Sequence, residues 1–88
     1  NDLEKNPALA RSNFHLGLIH SITEDYNKAI PQFEAALKKE PENFNTLNNL
    51  ALTYVRLSQT AKAKEYFDKS LKINPGQERV IKMLQDLK

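Results

Sequence analysis

The chain has 88 residues, of which 13 are basic and 11 acidic, and it contains no cysteine. A chain of this length forms one small domain, and without cysteine neither a disulfide framework nor a Cys-ligated metal site can supplement its hydrophobic core. No apolar run approaches the roughly 20 residues of a membrane-spanning helix, and the two signs of charge alternate along stretches such as residues 62–72, so we predict neither membrane insertion nor nucleic-acid binding.

Prolines and their polar neighbours divide the chain into helical segments. The turn clusters are residues 6–7, 40–43 and 74–76, and the apolar residues between them recur with a period near 3.6. In chain order, the pattern predicts helices at about residues 8–22, 25–39, 44–57, 60–73 and 77–87. No stretch alternates as a strand would, so the predicted fold class is all-α.

The first two predicted helices differ in their apolar pattern. Helix 8–22 contains Leu16 and the small residue Gly17, whereas helix 25–39 has one stripe made of Tyr26, Ala29, Ile30, Phe33, Ala36 and Leu37. Pro31 falls inside the second helix, where a proline removes one backbone hydrogen bond. We interpret it as a tolerated kink on an outward-facing position, with a functional hinge as the alternative.

The third predicted helix, FNTLNNLALTYVRL, has two organised faces. Its apolar face consists of Leu47, Leu50, Ala51 and Tyr54. The opposite face carries Asn45, Asn48, Asn49 and Leu52. Because asparagine is a mediocre helix former, its recurrence on one face indicates a purpose other than helix stability.

The whole pattern repeats along the chain. A shift that superimposes Pro7 on Pro41 also superimposes Pro41 on Pro75, and each of these prolines follows a leucine by four positions. Other identical pairs at the same shift are Leu16 with Leu50, Ala29 with Ala63, Phe33 with Phe67 and Leu37 with Leu71. We call this shift the repeat period. A repeat period of about 34 residues is typical of solenoid proteins, in which each repeat buries its faces against its neighbours.

These residues resemble the tetratricopeptide repeat, a helix–turn–helix unit. One copy of its signature is Leu16, Gly17, His20, Ala29, Phe33, Ala36 and Pro41, and the second is Leu50, Ala51, Tyr54, Ala63, Phe67, Ser70 and Pro75. The departures are that His20 replaces an aromatic residue, that Ser70 replaces alanine, and that Thr60 stands at the position of Tyr26. The resemblance implies a right-handed α-solenoid of antiparallel hairpins, in which residues such as Gly17 are small because helices approach closely there.

On this frame the chain is a single domain, with one repeat at residues 10–43 and a second at residues 44–77. Residues 1–7 look like the end of a preceding repeat because Leu3 is in phase, so we expect a fragment of a longer array. Residues 78–88 are predicted to form a capping helix with Lys82, Gln85 and Lys88 turned to water. Gln85 stands where Gly17 and Ala51 stood, and its size prevents a further helix from docking closely.

The resemblance implies a protein-interaction module that holds a peptide in the concave groove lined by the first helices of successive hairpins. The predicted groove residues are Arg11, Phe14, His15, Leu18, Asn45, Asn48, Asn49, Leu52, Arg79 and Met83. The three asparagines are expected to hydrogen-bond a ligand backbone, because an amide side chain both donates and accepts. Phe14 and Leu18 are expected to anchor the ligand; alternatively, a preceding repeat covers them.

Some members of the family hold the C-termini of chaperones in a carboxylate clamp, and we do not expect one here. The first lysine of that clamp falls at Phe14 and its first asparagine at Leu18. Asn49 matches the second asparagine and Arg79 replaces the second lysine, but Met83 stands at the arginine position. Of the five clamp positions, only those of Asn49 and Arg79 therefore carry a side chain that could bind a carboxylate.

Self-association is the alternative function, and a catalytic one is not predicted. No Ser/His/Asp set, carboxylate dyad or phosphate loop can be assembled. His15 and His20 are the only histidines, and at a spacing of five they point about 140° apart on a helix, so we predict no metal site and no cofactor. His20 is expected to pack in its aromatic slot. We expect a cytoplasmic protein, and a periplasmic one fits the composition equally well.

Overall fold

The computed structural model describes the backbone of residues 7–87 and the side chains of residues 10–87. This part of the chain contains no strand and forms five helices, α1 Pro7–Ile22, α2 Tyr26–Lys39, α3 Phe44–Arg56, α4 Thr60–Ile73 and α5 Glu78–Asp86. Each boundary lies within one residue of its sequence prediction, which confirms the all-α class. Residues 1–6 of the predicted lead-in, and Lys88 of the predicted cap, lie outside the described residues.

Short turns pair the helices into two hairpins. Residues 23–25 join α1 to α2 and residues 57–59 join α3 to α4, and connections this short make consecutive helices run antiparallel. The most extensive interfaces are accordingly α1–α2 and α3–α4, and α2 packs against α3 to join the hairpins. The last helix, α5, packs less extensively against α4. None of the described helices has the length and apolarity needed to cross a membrane.

The two hairpin turns share one backbone conformation. Glu24 and Ser58, which occupy the same position in the two repeats, both have positive φ angles, 63° and 60°. The residue that follows each of them donates its N–H to a helix carbonyl five positions earlier, from Asp25 to His20 and from Gln59 to Tyr54. This is the Schellman arrangement, in which the left-handed position is most often glycine. The backbone hydrogen bonds thus hold each turn in shape, although Glu24 and Ser58 do not favour the left-handed conformation that it requires.

The core is built from the repeat signature. Phe33 and Phe67 are fully buried, together with Ala29, Leu50, Ala51 and Ala63. A Cβ atom on Gly17 would lie 2.7 Å from two ring carbons of Phe33, so the glycine in α1 makes room for an aromatic ring of α2. The prediction of a small residue at a close helix approach is confirmed at Gly17, and the neighbour that imposes it is a side chain.

The outward positions of α2 and α5 also follow the sequence prediction. Pro31 is exposed, and α2 continues through it as one helix from Tyr26 to Lys39. On α5, Lys82 and Gln85 are exposed and Val80 is the one fully buried residue. His20 is half-buried at the end of α1, as its slot in the repeat signature suggests. The helices that carry the predicted groove residues are therefore α1, α3 and α5.

Candidate protein-interaction face

Two cavities flank α3 on the side that carries its asparagines. The first, here called the α1–α3 cavity, has a volume of about 290 Å³ and is lined by Ala10, Arg11, Phe14, His15, Ala36, Glu40, Asn43 and Asn45. The second, the α3–α5 cavity, has a volume of about 380 Å³ and is lined by Asn48, Leu52, Phe67, Arg79, Val80, Lys82, Met83 and Asp86. Residues from α1, α3 and α5 thus line two neighbouring depressions.

Most of the sequence-predicted groove residues lie at these two cavities. Four of them line the α1–α3 cavity and four line the α3–α5 cavity. Leu18 and Asn49 line neither of the two. The structure therefore brings eight of the ten predicted residues together on one side of the molecule, in two groups.

The predicted apolar anchors are already partly used by the core. Phe14, Leu18 and Leu52 are half-buried and pack against the buried cluster. The ring of Phe14 lies 6.0 Å from that of Phe33 and 6.1 Å from that of His15, in tilted arrangements. A ligand could contact only the remaining exposed part of these side chains.

Asn48, which was predicted to hydrogen-bond a ligand backbone, forms a hydrogen bond within the protein. Its Nδ2 donates a hydrogen bond to Gln77 Oε1 over 2.7 Å, and its Oδ1 is buried without a hydrogen-bond partner in the described residues. Gln77 in turn donates through Nε2 to Ser70 Oγ at 2.9 Å and to the carbonyl oxygens of Ser70 and Asn74. Asn48 therefore belongs to a polar network that joins α3, α4 and the turn before α5.

Asn45 and Asn49 keep more of their hydrogen-bonding capacity. Asn45 is exposed at the α1–α3 cavity. Asn49 is half-buried, and its Nδ2 donates to the Asn45 carbonyl oxygen of the same helix over 2.8 Å. The side-chain oxygen and one amide hydrogen of Asn49 have no further partner in the described residues.

The comparisons with known proteins agree with this geometry. A family model described as tetratricopeptide repeat matches residues 23–87, which span α2 to α5. The chain belongs to the tetratricopeptide repeat family. It is 31% identical over 75 residues to the tetratricopeptide repeat and J domain-containing co-chaperone DNJ1 of Fusarium oxysporum f. sp. lycopersici. That alignment covers 85% of this chain and 13% of the co-chaperone, so the chain spans about one-eighth of that relative.

Membership of the tetratricopeptide repeat family defines the general role of the fold. Tetratricopeptide repeats mediate protein–protein interaction, and the family is one of non-catalytic repeats. Within the described part of the chain, no group of three or more His, Asp or Glu side chains is arranged to hold a metal ion.

Sequence reasoning missed two polar contacts that shape the tetratricopeptide repeats. The first is the hydrogen bond from Gln77 to Ser70 Oγ. The serine in place of the usual alanine at position 70 was a signal for this contact. Asn13 Nδ2 donates to Gln32 Oε1, and Asn13 Oδ1 accepts from Lys39 Nζ, each over 2.9 Å. No signal pointed to Asn13, since its equivalent in the second repeat is a leucine, Leu47.

Three cations at the face form no ion pair with the described residues. In the described range, the ion pairs are Lys28–Asp25 and Lys69–Glu65, each within one helix segment. Arg11 lines the α1–α3 cavity, and Arg79 and Lys82 line the α3–α5 cavity, and all three are exposed. Their charges remain open to a ligand.

Proposed function

We propose that this tetratricopeptide repeat domain binds an extended or helical segment of a partner protein along the face formed by α1, α3 and α5. The observation that carries the proposal is the grouping of eight predicted groove residues, from three separate helices, around two cavities that flank α3. Ligand sites are usually concave, largely apolar and provided with a few convergent polar groups. This face combines those features.

The α1–α3 cavity supplies the polar part of the proposed site. Arg11 and His15 of α1, Asn45 of α3 and the half-buried Phe14 all line this cavity. The Asn45 amide can donate to a carbonyl oxygen and accept from an N–H of a ligand backbone, whatever the ligand side chains. Neutral hydrogen bonds of this kind contribute only about 0.5–1.5 kcal/mol each. Affinity therefore depends on apolar burial as well.

The α3–α5 cavity supplies that burial. Leu52, Val80 and Met83 present apolar atoms there, and the side chain of Met83 is 37% exposed. Methionine is flexible and polarisable, which suits it to ligand surfaces that differ in shape. A partner segment that crosses α3 would meet hydrogen-bonding groups on one side and apolar groups on the other.

Binding with matched variants tests the proposal. Proteins captured from the source cell by the immobilised domain are identified, and the bound segment is then titrated against purified variants. We expect Asn45→Ala and Met83→Ala each to weaken binding by roughly tenfold or less, since each removes about 1 kcal/mol of contact. Lys72→Ala is the control, because Lys72 is exposed on α4 and lines neither cavity. Equal binding by all four proteins would refute the proposed site.

Self-association is a second candidate, favoured by the exposed apolar side of α1. Leu16 and Ile19 are 43% and 55% exposed, whereas their equivalents in the second repeat, Leu50 and Thr53, are fully buried. In the second hairpin, α2 covers α3. Among the described residues, no helix covers α1 in the same way. A second copy of the chain could cover these side chains.

Light scattering across protein concentration separates the two candidates. If α1 mediates self-association, the mass should rise with concentration, and Ile19→Lys should return the protein to a monomer. Ile73→Lys, at another exposed isoleucine on α4, is the matched control. A monomeric mass at every concentration would exclude this candidate. For either candidate we propose a binding role without catalytic activity, in the cytoplasm.

A further inference from the structure

The α3–α5 cavity shares lining residues with a second, mostly apolar depression. A second depression of about 210 Å³ is lined by Val55, Phe67, Met83, Asp86 and Leu87. It shares Phe67, Met83 and Asp86 with the α3–α5 cavity. The two spaces therefore adjoin, and we call them together the α5 trough. Apart from Asn48 and the charged residues of α5, its lining is apolar and consists of Leu52, Val55, Phe67, Val80, Met83 and Leu87.

The junction beside the trough differs in its side chains from the α1–α3 cavity. Three residues that line the α1–α3 cavity, Phe14, Ala36 and Asn43, correspond one repeat period later to Asn48, Ser70 and Gln77. In the second repeat these three positions are joined by the Asn48–Gln77 and Gln77–Ser70 hydrogen bonds. Asn48 Nδ2, Gln77 and Ser70 Oγ are thus engaged with one another, whereas Asn48 Oδ1 has no partner among the described residues. Most of the uncharged lining of the trough is apolar.

Charged side chains of α5 form one edge of the trough. Arg79, Lys82 and Asp86 follow one another along the helix at spacings of three and four, and all are exposed. Lys82 and Asp86 do not form an ion pair, and no carboxylate of the described residues pairs with Arg79. Two cations without an ion-pair partner among the described residues therefore line the trough, and the lining anion Asp86 lies further along the helix.

We infer that the segment bound at this face places an apolar side chain in the α5 trough and an aspartate or glutamate side chain against Arg79 and Lys82. This inference rests on the proposed function and names the chemistry of its ligand. A guanidinium group binds a carboxylate through two parallel hydrogen bonds, and a neighbouring ammonium adds a second cation. The carboxylate comes from a side chain, so the segment does not need to end at the site.

The apolar and charged contacts complement each other in this arrangement. The apolar side chain supplies burial at Leu52, Val80 and Met83, where the trough has few groups that hydrogen-bond. The exposed cations at its edge attract the acidic neighbour and exclude segments that carry lysine or arginine at that position. Because these charges are exposed, the contribution of the pair should fall as salt concentration rises.

A selection experiment tests this chemistry. A library of random peptides, displayed with both ends joined to the carrier protein, is selected on the 88-residue domain. Enriched peptides are synthesised and titrated against the wild type and the double variant Arg79→Glu/Lys82→Glu. The control is Lys38→Glu/Lys72→Glu, which changes the net charge equally at exposed positions of α2 and α4. Arg79→Gln/Lys82→Gln provides a milder variant, and circular dichroism verifies that each variant is folded.

We expect enriched peptides to combine Leu, Ile, Met or Phe with a nearby Asp or Glu. Charge reversal at α5 should weaken their binding by about tenfold at low salt and less at high salt, while the control should change it little. Enriched peptides without acidic residues, or equal binding by the reversed variant and its control, would refute the inference and leave the proposed function standing. Failure to enrich any peptide whose binding depends on Asn45 or Met83 would refute the proposed function itself.

Discussion

The side-chain amide of Asn48 donates a hydrogen bond to Gln77 Oε1 over 2.7 Å and so fastens the turn before α5 to α3. The Nε2 atom of Gln77 continues the connection to Ser70 Oγ and to two backbone carbonyl oxygens. Because α5 packs on α4 less extensively than the other helices pack on their partners, this network adds a constraint on its position to the apolar packing of Val80, Leu84 and Leu87. The edge of the α5 trough depends on it.

Removing the Gln77 side chain should therefore destabilise the domain. Gln77→Ala leaves Ser70 Oγ and Asn48 Nδ2 without their partner in a partly buried place, which costs about 1–3 kcal/mol in the free energy of unfolding. Urea denaturation measures the change. Gln59→Ala is the matched control, since Gln59 occupies the same position before α4 but is exposed and makes no side-chain cap bond. Equal stability of the two variants would contradict the structural role of Gln77.

Glycine at the hairpin turns should stabilise the fold. Glu24 and Ser58 hold φ angles of 63° and 60°, a conformation that glycine adopts at no steric cost and other residues adopt at about 1 kcal/mol. We expect Glu24→Gly and Ser58→Gly each to raise the free energy of unfolding by about 0.5–1 kcal/mol, as measured by urea denaturation.

The control for the turn variants is Glu42→Gly. Glu42 lies in the exposed turn between the hairpins and has no positive φ angle. Glycine there adds only freedom to the unfolded chain and should lower stability. A stabilising effect at Glu42 as large as at Glu24 would show that the backbone angle is not the cause.

Enlarging Gly17 should have the opposite effect. The added methyl group of Gly17→Ala would lie 2.7 Å from the ring of Phe33, which is fully buried and cannot move aside freely. The clash costs about 1–3 kcal/mol and outweighs the gain of up to about 1 kcal/mol from better helix propensity. Thermal unfolding should show a lower melting temperature. At Gly76 the nearest heavy atom would be 3.8 Å away, so Gly76→Ala should be tolerated. A neutral Gly17→Ala would mean that the ring adapts.

Two stacked tyrosines should make stability fall at alkaline pH. The rings of Tyr54 and Tyr66 lie 5.6 Å apart and nearly parallel. Burial, followed by the nearby negative charge of the paired tyrosine, Glu34 and Glu65, raises the pKa of Tyr54, and burial with the same two glutamates raises the pKa of Tyr66. The unfolded chain therefore ionises first, so stability is complete below the ordinary tyrosine pKa of about 10 and is lost as pH rises above it.

Denaturation as a function of pH tests whether stability falls, as expected, when the pH rises. The free energy of unfolding should decline above about pH 10, and less steeply for Tyr66→Phe, which removes one of the two titrating groups. The informative quantity is the difference in this decline between the wild type and the variant, because contributions common to both proteins cancel. An identical decline in both proteins would assign the effect to other groups.

Much of the fold was predictable because its signals are local. The 3.6-residue recurrence of apolar side chains and the prolines near each helix end determine where α1 to α5 begin and end, within one residue. The repeat period then determines which helices pair, since short turns leave few alternatives. The exposure of Pro31 and the burial of Phe33 and Phe67 followed from the same pattern.

The site was predictable only in part. The repeat frame predicted a single groove, whereas Arg11, Phe14 and Asn45 line one cavity and Leu52 and Met83 line another. It placed Leu18 and Asn49 with them, although these two residues line neither cavity. A helical face is about 100° wide, so position on a helix alone does not distinguish a lining residue from its neighbour.

By itself, the sequence determined the helices, their order and the family, because each depends on spacing along the chain. Only the tertiary structure decided what Asn48 does, since its partner Gln77 lies 29 residues away in a different segment. It also decided that the ring of Phe14 packs against the core and that most uncharged residues lining the trough beside α5 are apolar. The physical reason is that burial and hydrogen bonding depend on which groups meet in space, whereas a helical pattern specifies only which side of one helix a residue occupies.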